Sequence, residues 1–190
     1  MLKIIFNKIF FLFFLFFCFN FFYFSLLPDD SIYHLNVSFV NQDGNVVNMK
    51  DLRGKIHIFS MIYTKCKTTC PIILENMKKI EKLISNDILK QVNFSLVTLD
   101  PLRDNVDTLK KFVKEKNIDR EGWNLFFSSE KSTLELAIAL GIKYKKENDG
   151  NYVHSNLILL IDKDGVIKFQ HPGLVNNFDD ILYSLYKIFE

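Results

Sequence analysis

The sequence has little of several things, and each shortage excludes a class of protein. Lysine and arginine (24) barely outnumber aspartate and glutamate (22), and no basic run interleaves with aromatics. The phosphate neutralisation on which nucleic-acid binding depends therefore has no footprint here. There is no internal repeat, no low-complexity stretch and no second linker beyond about residues 27–31, so the part after the N-terminal tail reads as one domain. Cysteine is scarce: Cys18 lies in an apolar tail, leaving only Cys66 and Cys70 outside it. Two thiols alone are too few for a closed structural zinc site, which takes four protein ligands. The Arg-rich, Ser-rich, acid-poor composition of a mitochondrial transit peptide is missing, and so is an A-x-A-like site for signal cleavage around residues 24–28.

What is abundant is phenylalanine at the N-terminus. Of 20 Phe, 11 lie between Phe6 and Phe24, and residues 9–28 carry no charge. Twenty helical residues span roughly 30 Å, the thickness of a bilayer's hydrocarbon core. The run therefore reads as an uncleaved membrane anchor. Phe17 before Cys18 is not the small residue that a lipidation site wants, so Cys18 reads as a small apolar side chain in lipid. Lys3 and Lys8 precede the run and Asp29 and Asp30 follow it, which keeps the N-terminus cytoplasmic and the remainder outside. A bacterial inner membrane, with the C-terminal domain in the periplasm, fits these flanks. The remaining 163 residues balance 22 basic against 22 acidic side chains and are long enough for one sizeable core.

That remainder alternates strand and helix. Residues 37–40 and 45–47 flank Asp43-Gly44, a hairpin turn pair. Residues 55–63 are apolar and β-branched enough for a strand covered on both faces. Ile73, Met77, Ile80 and Ile84 then recur at helical spacing over residues 71–84. Strands over 94–99 and 125–127 alternate with helices over 106–113 and 134–140, the last stopped by Gly141. A hairpin over 156–161 and 166–169 across Asp164-Gly165, and a helix over 179–188, close an α/β sandwich.

The chemistry concentrates at Thr64-Lys65-Cys66-Lys67-Thr68-Thr69-Cys70-Pro71, between the first buried strand and its helix. Pro71 suits a first helical position, which puts Cys70 at or near the N-cap, with its sulfur facing the positive helix end. That field, with Lys65 and Lys67 beside it, favours thiolate, which is both nucleophile and metal ligand. A permanent disulfide is the alternative in an oxidising compartment, although a three-residue loop adds little constraint to the unfolded chain. Among the histidines, His34 and His57 read as incidental strand residues and His171 as part of a turn. His154 enters the 156–161 strand, where a sheet end can face the cysteine loop. Two thiolates and an imidazole form a soft donor set that suits Cu(I) and can hold Cu(II) with a further donor.

The T-x-C-x-x-x-C-P stretch at residues 64–71 resembles the signature of the Sco/SenC family, membrane-anchored thioredoxin-fold copper proteins that help assemble cytochrome c oxidase. Phe39-Val40-Asn41-Gln42-Asp43-Gly44 and Leu52-Arg53-Gly54-Lys55 resemble the family's opening hairpin. Val97-Thr98-Leu99-Asp100-Pro101-Leu102-Arg103-Asp104 resembles its D-P-x-R-D element, and Val153-His154-Ser155 with residues 160–165 resembles its histidine strand and closing hairpin. The resemblance implies a thioredoxin-like sandwich with an N-terminal β-hairpin extension, preceded by a single transmembrane helix. On that view residues 1–8 are cytoplasmic, 9–28 the anchor and 29–190 the copper-binding domain. It further implies copper, as Cu(I) or Cu(II), held by Cys66, Cys70 and His154, with Cys66 and Cys70 also a redox-active dithiol. The implied function is a metallochaperone and the implied partner the oxidase subunit that carries the binuclear copper centre.

Four positions depart from the family. Lys67-Thr68 stands where copper carriers usually have Pro-Asp, Lys65 where many have His, and Val153 where Asp commonly precedes the histidine. Positive charge beside bound copper disfavours the metal while favouring thiolate, and the missing carboxylate could have oriented the imidazole. A membrane-tethered thiol–disulfide reductase using Cys66 and Cys70 without metal is therefore the rival reading, and a scaffold with a structural disulfide a third. Asp100 reads as strand-end turn chemistry and Asp104 as a cap of the following helix.

Overall fold

The computed structural model describes residues 27–190. The cytoplasmic segment 1–8 and all but the last two residues of the expected anchor 9–28 lie outside the described residues. Among the described residues no helix is long and apolar enough to cross a membrane.

Among the described residues, nine strands and five α-helices follow in the order β1 (Ser38–Asn41), β2 (Val46–Asn48), β3 (Ile56–Ile62), α1 (Thr69–Leu83), α2 (Asn86–Leu89), β4 (Val92–Thr98), α3 (Val106–Glu115), β5 (Trp123–Phe127), α4 (Glu130–Ala139), β6 (Tyr144–Lys146), β7 (Tyr152–His154), β8 (Leu157–Ile161), β9 (Ile167–Pro172) and α5 (Asp179–Lys187). Seven strands form one sheet in the order β2-β1-β5-β4-β3-β8-β9. Its centre, β3-β4-β5, is parallel, because helices carry the chain back between those strands. The two hairpins add antiparallel flanks at opposite edges. The sequence anticipates both. At the second, Gly165 turns with φ +85, a conformation that side-chain-bearing residues rarely adopt.

Every residue of β3 is buried, as an apolar strand covered on both faces requires. Alternation splits its side chains between two cores. Ile58 and Ile62 join Ile73, Met77 and Ile80 of α1 and Phe94 and Leu96 of β4 on one face. Phe59 and Met61 join Phe39, Phe126, Leu136 and Leu159 on the other. Each such side chain contributes roughly 1.5–3 kcal/mol on leaving water. Ile62 pairs with Thr98 at the carboxyl ends of β3 and β4, so the loops after these two strands emerge side by side. Open α/β sheets place ligand sites at that end.

The structure moves several sequence-based boundaries. α1 begins at Thr69, so Pro71 is its third residue and not its first. This is tolerated because the first turn has no intrahelical acceptors to lose. Strand β5 begins at Trp123 and α4 at Glu130, under a Ser129 cap, both earlier than apolar pattern alone indicates. His171 lies within β9 and not in a turn; it is buried and its Nε2 bonds the Asn177 carbonyl at 2.6 Å. A two-stranded sheet, β6–β7, stands apart from the seven-stranded one and carries His154 as its last residue. Its strands are three residues long, too short for a periodicity to register.

Candidate metal and thiol site

The cysteine loop begins where β3 ends. Thr64 donates through its backbone N–H at 3.2 Å, and through its hydroxyl, to Asp104, which also accepts from the Thr98 hydroxyl at the end of β4. Asp104 is 1% exposed. It is not the helix cap its position suggests: Asn105 caps α3, accepting from the Thr108 N–H at 3.0 Å. The Asp104 carboxylate instead ties the start of the cysteine loop to β4, with three donors to one buried anion. Hydrogen bonds to charged groups are worth about 1.5–3 kcal/mol each.

From Thr64 the chain turns, the Cys66 N–H bonding the Tyr63 carbonyl at 3.2 Å, and enters α1. Both cysteines are free and buried, while Lys65, Lys67 and Thr68 are exposed. The Cys70 N–H, in the first turn of α1, donates to Cys66 Sγ at 3.4 Å, with the Thr68 hydroxyl at 3.7 Å. Burial pushes the Cys66 thiol up, but the donors from Cys70 and Thr68 outweigh it and bring its pKa down to about 6. Cys70 moves the other way. Its burial, and then the neighbouring Cys66 sulfur, push it well above the ordinary thiol range. The expectation that the helix end makes Cys70 the thiolate is thus corrected. The free N–H of the first turn points at Cys66, and burial decides Cys70. The two lysines expected to assist project into solvent, where screening weakens them.

His154 arrives from the separate β6–β7 sheet. Its Nε2 lies 3.5 Å from Cys70 Sγ, and its Nδ1–H donates to the Ser155 carbonyl at 3.0 Å. The second contact fixes the tautomer and leaves the Nε2 lone pair turned to the sulfur. Burial, outweighing the Ser155 carbonyl, holds His154 below the usual histidine value, so the imidazole is neutral near pH 7 and Cys70 is its thiol donor. Tyr63 packs its ring edge-on to His154 at 6.4 Å and against Tyr152 at 5.3 Å.

The structure therefore brings Cys70 into contact with His154, and Cys66 into contact with the Cys70 backbone. Among the described residues no three His, Cys, Asp or Glu side chains are already gathered as a metal cluster. The other histidines stay apart. The His34 Nε2 bonds the Pro28 carbonyl at 2.9 Å. His57 is spent between the Ser95 hydroxyl and the Leu52 carbonyl, both at 2.9 Å. Sequence reasoning missed Tyr63 and Tyr152 as neighbours of the site. Their signal was available only as aromatics flanking the two motifs.

A family model described as SCO1/SenC matches residues 30–181. The chain is 28% identical over 151 residues to the SCO1 protein homolog of Bacillus subtilis (strain 168), covering 76% of this chain and 77% of that one. It is 26% identical over 133 residues to a protein of Stutzerimonas stutzeri named a putative copper-binding protein, covering 68% and 64% respectively. Among solved structures it resembles BsSco, described as having a disulfide switch and as a member of the Sco family of cytochrome c oxidase assembly proteins. That likeness has a TM-score of 0.69 and 25% identity, over 80% of this chain and 94% of the other. The fold shared with such structures is the thioredoxin-like α/β arrangement described above.

Proposed function

The chain belongs to the SCO1/SenC family, and from that premise we propose that it is a copper metallochaperone for the binuclear copper centre of cytochrome c oxidase. Cys66, Cys70 and His154 are its copper ligands. The observation that carries the reading is the His154 Nε2 lone pair held against Cys70 Sγ by the Nδ1–H bond to Ser155. A neutral imidazole beside a thiol and a second, readily ionised thiol is a soft donor set that favours Cu(I). Copper is cargo here: binding displaces the Cys70 proton, and release to a partner restores the thiol–imidazole contact. The partner is the oxidase subunit that carries the copper centre. Residues 9–28 tether the domain to the bacterial inner membrane with its C-terminus in the periplasm, so a periplasm-dependent reporter fused after Glu190 is active. The test of the cargo is copper uptake by the reduced full-length chain in detergent, with one ion per chain expected. A reduced chain that retains none overturns the reading.

A second reading rests on the divergent thiols. A membrane-tethered reductase would attack a target disulfide with the Cys66 thiolate, forming a mixed disulfide and releasing one target thiolate. His154 Nε2 would then take the Cys70 proton. The Cys70 sulfur would attack Cys66 Sγ, closing the Cys66–Cys70 disulfide and releasing the second target thiolate. A chain that reduces a partner's paired cysteines but holds no copper would establish this role in place of cargo delivery.

A further inference from the structure

The sheet that carries His154 has no backbone ladder to the seven-stranded sheet; beyond the two residues that join β7 to β8, side chains hold it in place. Those side chains converge on Asp100, which is 0% exposed at the end of β4. One Asp100 oxygen accepts from Arg103 Nε, and the other accepts from the Tyr152 hydroxyl at 3.2 Å. The Arg103 fork reaches further: a second guanidinium nitrogen donates to the carbonyl of Gly150, in the turn between β6 and β7, and the guanidinium lies 5.9 Å from the centre of the Tyr152 ring. On the inner side, the Tyr152 N–H donates to the Tyr63 hydroxyl at 3.3 Å. Gly150 turns with φ +80 and a Cβ there would stand 3.2 Å from the guanidinium, so the turn and the arginine are fitted to each other.

We propose that Asp100 and Arg103 are positioning residues that latch the β6–β7 hairpin over the cysteine loop and so set where His154 stands relative to Cys70. The inference rests on the copper reading for its consequence, but not for its geometry. Neither residue touches the thiols. Their effect passes through Gly150 and Tyr152 to the histidine two residues on. The arginine is required because one planar group bonds a carboxylate with one nitrogen and a carbonyl with another, which a lysine ammonium on a flexible stem does poorly.

The test compares wild type, Arg103→Ala, Arg103→Lys, Tyr152→Phe, His154→Ala and the Arg103→Ala/His154→Ala double variant, each as the reduced full-length chain in detergent. Cu(I) retention is measured against a competing chromophoric chelator. Arg103→Ala should weaken retention roughly 10- to 100-fold, the range for residues that orient a ligand. Arg103→Lys should recover only part of this and Tyr152→Phe should fall between. In the His154→Ala background, Arg103→Ala should add nothing. An undiminished affinity, or the same further loss without the histidine, overturns the proposal. A second measurement needs no metal. In chains labelled with nitrogen-15 histidine, the His154 Nε2 signal, which reports the contact with Cys70, should shift in Arg103→Ala while the Nδ1–H bonded locally to Ser155 persists; an unchanged Nε2 signal overturns the latch. If wild type takes up no copper, the metallochaperone reading falls while the nitrogen spectra still decide the latch.

Discussion

The two halves of the site are built by opposite means. The cysteine half is a continuous piece of chain, the end of β3, a turn and the first turn of α1. Neighbouring backbone and one buried carboxylate hold it, and α1 anchors it through Ile73, Met77 and Ile80 in the core. The histidine half is a short hairpin outside the main ladder, held by Arg103, Asp100, Tyr152 and Tyr63. The first has stability of its own from apolar burial; the second has a position lent to it by other elements.

Experiments on each half should separate them. Cys66→Ser or Cys70→Ser removes a donor that copper binding and disulfide exchange share, so both activities should be lost; retention of either would break the assignment. His154→Ala should cost more than roughly 100-fold in Cu(I) retention, beyond the range for residues that only orient ligands. The dithiol should still reduce a small disulfide, and equal loss of both activities would deny the halves their separate roles.

Asp104→Ala tests the cysteine half by stability. It leaves the Thr64 N–H and the Thr64 and Thr98 hydroxyls without their acceptor, and should destabilise the fold by about 3 kcal/mol in denaturant titration. Arg103→Ala leaves the fully buried Asp100 without its cation and should also cost stability, so its affinity is compared with that of Arg103→Lys, which keeps a cation there.

A pH series sharpens the contrast between the thiols. Cys66 is depressed to about 6, so its alkylation by iodoacetamide should be half-maximal near that pH and reach its plateau by neutrality. Cys70 is raised and should stay unreactive there. The favoured Cys66 thiolate supports the fold most fully above the ordinary thiol value, and this contribution fades as pH falls through about 6. The smallest effect is expected from Lys65→Gln and Lys67→Gln. Both side chains are exposed, and each should change the alkylation rate by less than about twofold at physiological salt.

Much of the framework was legible in the sequence because it is local. The apolar run of β3, the stripe of Ile73, Met77 and Ile80, and the turn pairs at Asp43-Gly44 and Asp164-Gly165 each encode their element in adjacent residues. So does the loop that brings Cys66 and Cys70 together, four positions apart across a helix start. Other features resisted reading. Asp104 looked like a cap because Asn105, the true cap, is its neighbour, and nothing local reveals that Thr64, forty positions earlier, meets it. His171 looked like a turn residue because Pro172-Gly173 follows it, yet β8 holds it in the sheet.

By itself, the sequence determined which atoms are available for chemistry: two thiols on a strand-to-helix turn, a histidine near a strand start, and an apolar N-terminal run. Only the tertiary structure decided which thiol ionises and where the histidine stands. Both depend on burial and on hydrogen bonds between residues distant in the chain. The Cys70 N–H reaches Cys66 only once α1 has formed and docked. His154 meets Cys70, 84 positions away, only when β3, β4 and the latched hairpin converge at one end of the sheet. Local pattern fixes elements through short-range sterics and periodicity, whereas pKa values and donor geometry are set by the whole packed environment.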